Sequence, residues 1–112
     1  MSADEIPDAV RQLIAERIHT VPELEAILLL REHRTRTWTA AEAGDRLYLS
    51  ETDAAHVLAV LEQHGFVTAG SDGYRYSPGS DQLERTIAAL ATAYSQHLVL
   101  VTELIHIDRK TR

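Results

Sequence analysis

The chain has 112 residues, of which 45% are hydrophobic and 25% charged, with one tryptophan and no cysteine. That length suits one domain with an aliphatic, unstapled core, and the composition excludes collagen-like and disordered classes, disulfides, thiol catalysis and cysteine-bound metals. Eleven basic residues against seventeen acidic ones give a net charge of −6, a balance that opposes a general nucleic-acid coat.

In chain order, Pro7 suits the opening of a first helix, where its missing N–H costs nothing, and Val10, Leu13, Ile14 and Ile18 recur at helical spacing. Thr20 with Glu23 forms a capping-box signal for a second helix, and Pro22 fits its first turn. Leu24, Ile27, Leu28 and Leu30 make this helix apolar on more than one side as far as about His33. The next residues, Arg34–Thr39, lack a helical period and are rich in β-formers, which predicts a very short strand at Thr37 and Trp38. Trp38 itself is expected in the core.

Thr39 with Glu42 is a second capping box, opening a short helix through Leu47. A tight turn at Tyr48–Ser50 follows. Ser50 with Asp53 caps a fourth helix from Glu51 to His64, which Gly65 ends in the left-handed conformation. Phe66–Gly70 and Tyr74–Tyr76 flank Ser71-Asp72-Gly73, the pattern of a β-hairpin. Beyond Pro78 and Gly79, Ser80 caps one long C-terminal helix. Leu83, Ile87, Leu90, Tyr94, Leu98, Val101 and Ile105 form its apolar stripe, and Val99, Leu100 and Ile107 add apolar area elsewhere. Such a surplus on a terminal helix predicts a homodimer.

The order helix, short strand, helix, turn, helix, hairpin resembles a winged helix-turn-helix of the MarR-like and related bacterial transcriptional regulators. The resemblance rests on Leu24–Arg31, Thr37–Glu42, Leu49–Val57 and Leu61–Val67, and covers about residues 21–77. It implies a mainly α (α+β) fold with a small three-stranded antiparallel sheet. A winged-helix domain at 21–78 would lie between an N-terminal helical arm at 1–20 and the long dimerisation helix at 79–112. It also implies duplex DNA as partner, with the Glu51–His64 helix in the major groove and the hairpin as wing.

The residues bear on that function separately. With Ala54, Val57, Leu58 and Leu61 toward the core, the outer face of the fourth helix carries Thr52, Ala55, His56, Ala59 and Gln63. Threonine, histidine and glutamine can bond base edges, and the alanines permit close approach. Arg34, Arg36, Arg46 and Arg75 are the candidate phosphate contacts. Against this, the Thr39–Tyr76 span holds six acidic residues and two basic ones, where phosphate binding needs positive charge. Other basic residues gather at Arg31, Arg34 and Arg36 and at Arg109, Lys110 and Arg112. Glu51 and Asp53 stabilise the start of their helix through its dipole whatever it binds. A second reading therefore stays open: a winged helix used as a protein-interaction module, its acidic helix meeting a basic protein partner.

No glycine-rich phosphate loop or nucleophile elbow is present. Glu103 and His106, with His97, lack facing ligands for a metal pair. The expectation is no enzyme, no metal and no cofactor. The opening residues carry neither a basic leader nor an apolar segment, and apolar runs such as Ala26–Leu30 fall far short of the ~20 residues of a spanning helix. A cytoplasmic location without membrane contact is the corresponding expectation.

Overall fold

A computed structural model describes residues 6–110, the last four as backbone alone. Their order is α1 (Asp8–Arg17), α2 (Val21–Glu32), α3 (Ala40–Leu47), α4 (Glu51–Gln63), β1 (Val67–Gly70), β2 (Gly73–Tyr76), α5 (Asp81–Gln96) and α6 (Leu98–Lys110). The described chain is thus mainly helical, with six helices and one two-stranded antiparallel sheet. Pro22–Gly79 forms one compact unit, and the segments before and after it together form a second.

In the Pro22–Gly79 unit, local capping sets where helices begin. The Thr39 hydroxyl accepts from the Glu42 N–H at 3.1 Å, and the Glu42 carboxylate accepts from the Thr39 N–H at 3.0 Å. This reciprocal box satisfies two donors that the first turn of α3 leaves open. Ser50 does half of the same work for α4, its hydroxyl accepting from the Asp53 N–H. The buried side chains are aliphatic apart from Trp38, Phe66, Tyr76 and the carboxylate-bearing Glu23 of α2: Leu24, Ala26, Ile27 and Leu30 from α2, and Ala54, Val57, Leu58 and Leu61 from α4. Burying a leucine such as Leu58 or Leu61 contributes about 1.5–3 kcal/mol.

Helices α3 and α4 pack together across the turn Tyr48–Ser50. Gly44 makes the approach possible, because a Cβ there would stand 2.7 Å from the Leu49 carbonyl oxygen. That same Leu49 donates its N–H to the Gly44 carbonyl at 2.9 Å. Past Gly65, at φ +84°, the hairpin pairs Val67 with Tyr76 and Gly70 with Gly73, leaving Ser71 and Asp72 as its two-residue loop.

The expected third strand is reduced to one bridge, Trp38 with Tyr74, which exchange N–H···O bonds of 2.7 Å in both directions. Its neighbours are committed elsewhere. The Arg36 N–H donates to the His33 carbonyl in a turn, and Ala40 is already the first residue of α3. The ladder therefore cannot extend either way.

In the second unit, α1, α5 and α6 pack on one another. Val10, Leu13, Ile14, Ile87, Leu90, Ala93, Val101 and Ile105 are buried there, and Ser80 caps α5 by accepting from the Leu83 N–H. The single long C-terminal helix is corrected: it breaks at His97 (φ −136°, ψ 54°), and α5 and α6 are bent by 114°. Neither proline nor glycine causes this. A straight helix of that length would run for roughly 40 Å, whereas the ten-residue α1 spans roughly 15 Å. Bending brings both halves onto α1 and lets Val101 and Ile105 be buried. Among the described residues no single helix is long and apolar enough to cross a membrane. The side chains of Ile107, Arg109 and Lys110, and all of Arg112, lie outside the described residues.

Candidate nucleic-acid interface

The outer face of α4 follows from its burial. Ala54, Val57, Leu58 and Leu61 recur at helical spacing on the buried side, so Thr52, Ala55, His56 and Gln63 are exposed and Ala59 half-exposed. All five candidate base-reading residues share this helix. The polar members of this set, Thr52, His56 and Gln63, include no carboxylate, and its alanines leave the backbone accessible. Glu51, Asp53 and Glu62 are exposed on the same helix, so an anionic partner meets like charge on either side of the neutral strip.

The four candidate phosphate contacts divide. Arg34, Arg36 and Arg46 collect on aromatic rings. The Arg36 guanidinium lies 3.7 Å from the centre of the Trp38 ring, Arg46 lies 5.5 Å from it, and Arg34 lies 5.6 Å from the centre of Tyr76. His33 completes the group, its ring 5.8 Å from the indole and its Nε2 3.5 Å from the Arg46 guanidinium. The fully buried indole is thus roofed by cations, an arrangement worth about 0.5–1 kcal/mol per exposed pair.

Arg36 is further engaged in a half-exposed ion pair with Glu42 at 3.3 Å, so an outside anion competes with a carboxylate for it. The Thr39 N–H and, after it, the Arg36 charge hold the Glu42 carboxyl below the usual carboxylate range. Its stabilising effect is therefore complete above that range and is lost as pH falls from it through the lowered folded value. Arg75 lies apart, exposed on β2 opposite Thr68. With Thr37, Thr68 and the turn residues it lines an open hollow beside the hairpin. The hairpin tip carries Asp72 and no cation.

The residues proposed for dimerisation are partly used up within the chain. Ile87, Leu90, Val101 and Ile105 are buried, and Leu83 and Tyr94 half-buried. Leu98 remains 52% exposed, with Val99 beside it at 63%.

Tyr48 was not singled out by any sequence rule. It ends α3 in the left-handed region, at φ 59° and ψ 42°, with its N–H donated to the Gly44 carbonyl. For an L-residue other than glycine this conformation costs roughly 1–2 kcal/mol, and the side chain is 95% exposed. The available signal was an absence: the position after Leu47 lacks the glycine or asparagine that helices commonly carry there.

Comparison of the chain with protein-family models, with curated proteins and with solved structures finds no match.

Proposed function

We propose that the Pro22–Gly79 unit is a winged helix that binds duplex DNA through α4, in a dimeric regulator of transcription of the MarR-like kind. The observation that carries this reading is the exposed strip Thr52–Ala55–His56–Ala59–Gln63. It offers hydrogen-bonding side chains of base-reading type, with small residues between them, on a helix pinned to α3 by the close approach at Gly44. The hairpin, tied to Trp38 by its bridge to Tyr74, supports the role of wing. Dimerisation would use the surface that α5 and α6 leave uncovered around Leu98 and Val99.

The test is a selection from randomised duplexes at about 50 mM salt, low enough for electrostatic binding to survive. Enrichment of a two-fold symmetric site is expected, and His56→Ala should change the base preference rather than weaken all sites equally. Absence of enrichment would overturn the reading.

The Arg36–Glu42 pair gives a second expected result. Glu42→Gln keeps an acceptor for the Thr39 N–H, and the pair is solvent-exposed, so stability should be little changed in thermal unfolding. Releasing Arg36 should tighten duplex binding and steepen the slope of log K against log salt by about 0.9, the contribution of one phosphate contact. Fluorescence anisotropy titrations over a salt series measure this. An unchanged slope would remove Arg36 from the interface.

One observation favours a different reading. The exposed acids Glu51, Asp53 and Glu62 flank the neutral strip on α4, and Asp72 is exposed at the hairpin tip; a basic protein surface would complement them where phosphates do not. Capture of a defined basic partner, abolished by charge reversal at Glu51 and Glu62, together with an empty duplex selection, would establish the interaction module instead.

A further inference from the structure

Tyr48 has an arrangement that folding does not reward. Among the described residues it is the one non-glycine residue at positive φ, so a side chain is kept where glycine would be unstrained. An aromatic ring could offset that strain by burial, but this ring is in solvent, 95% exposed. Nor does the side chain cap a helix: the α3–α4 turn is held by the Tyr48 and Leu49 backbone N–H groups, both donated to Gly44. Strain kept without structural return is the pattern expected where a residue is retained for what it contacts.

Position indicates the contact. Tyr48 stands two residues before Ser50, the N-cap of α4, so its Cα lies within about 7 Å of that helix start by the reach of the chain alone. The turn is closely packed on α3, since a Cβ on Gly44 would stand 2.7 Å from the Leu49 carbonyl oxygen and 3.4 Å from that of Ser50. A phenol on such a turn is presented with only two side-chain torsions to order on binding. It lies at the edge of the proposed reading face, where the wall of a groove occupied by α4 would be sugar and phosphate.

We propose that Tyr48 is a phosphate contact of this surface, its hydroxyl donating to a backbone oxygen of the duplex that α4 reads. The inference rests on the DNA reading above. It fits a surface poor in cations, because a neutral donor adds affinity without charge. Such a contact releases no counterion, which separates it from the arginines: its loss should lower affinity by the same factor at every salt concentration.

The experiment uses the full chain and the duplex enriched in the selection, titrated across a salt series, with thermal unfolding in parallel. Tyr48→Gly should weaken binding roughly ten- to a hundredfold, the range of one hydrogen bond to a charged group. The salt slope should be unchanged and the melting temperature equal to or above that of the wild type. Tyr48→Phe, which keeps the ring and removes the hydroxyl, should lose the same factor. Wild-type affinity in Tyr48→Gly would overturn the proposal and leave the DNA reading intact. Full affinity in Tyr48→Phe would overturn the hydroxyl–phosphate contact. A lowered melting temperature in Tyr48→Gly would assign the ring to folding instead. A selection that enriches nothing would overturn the DNA reading, and the phosphate contact with it.

Discussion

Gly73→Ala should lower the stability of the chain by roughly 2–6 kcal/mol, combining backbone strain of about 1–3 kcal/mol with the loss of two hydrogen bonds at about 0.5–1.5 kcal/mol each. Gly73 has φ +130°, and a Cβ there would fall 2.2 Å from the Trp38 carbonyl oxygen and 2.7 Å from its carbon. These are backbone atoms, so no side chain can rotate away. Relief requires Trp38 to retreat, which breaks the reciprocal bonds of 2.7 Å that join it to Tyr74. The control is Gly70→Ala, three residues earlier, where the nearest atom is 3.9 Å away and φ is not positive. That variant should change stability by less than about 1 kcal/mol. Urea unfolding followed by circular dichroism measures both. Equal effects at the two glycines would mean that hairpin flexibility, rather than the approach to Trp38, makes Gly73 necessary.

The legible parts of this chain were those governed by rules spanning three or four residues. Thr39, Ser50 and Ser80 cap their helices because each hydroxyl reaches an amide three residues ahead, a relation visible in the letters. The burial pattern of α4 was legible for the same reason, since a helix repeats its own geometry. The break at His97 was not. The stretch on either side is apolar at helical spacing, and the decision belongs to the short α1, on which a straight helix could not bury both halves. The Arg36–Glu42 pair also escaped, because its partners lie on opposite sides of a helix cap where no period applies. Gly44 and Tyr48 form two ends of one turn, and neither is informative until the Leu49 carbonyl is seen against Gly44.

These misses bear on the candidate interface more than on the fold. The strip Thr52, Ala55, His56, Ala59 and Gln63 came from the period of α4, and it lies on the outer side of that helix, exposed except for the half-exposed Ala59. The four arginines were grouped by charge alone. Three of them share the aromatic pair Trp38 and Tyr76, while Arg75 is opposite Thr68 on the hairpin. A cation stacked on an indole can still donate to a phosphate through its outer N–H groups, but one paired with Glu42 must first lose that partner. The electrostatics of the surface therefore depend on Trp38, which fixes where the cations stand.

Trp38→Ala should cost about 3–5 kcal/mol, the range for truncating a buried large aromatic. The indole is fully buried, bonded through its backbone to Tyr74, and covered by Arg36 at 3.7 Å. Truncation leaves a cavity and deprives Arg36, Arg46 and His33 of the ring they face. Trp38→Phe separates packing from polarity. The indole Nε1 is buried without a hydrogen-bond partner, and an unmet buried donor costs about 1–3 kcal/mol. Phenylalanine removes that donor and keeps an apolar ring for the cations, so what it gains offsets part of what it loses in volume. The expected order of stability has Trp38→Phe close to the wild type and Trp38→Ala far below both, read by urea unfolding with circular dichroism. In duplex titrations Trp38→Phe should keep the wild-type salt slope, because the arginines keep their support. A Trp38→Phe variant as unstable as Trp38→Ala would show that the full indole volume, and not an apolar ring of any size, holds this corner of the fold together.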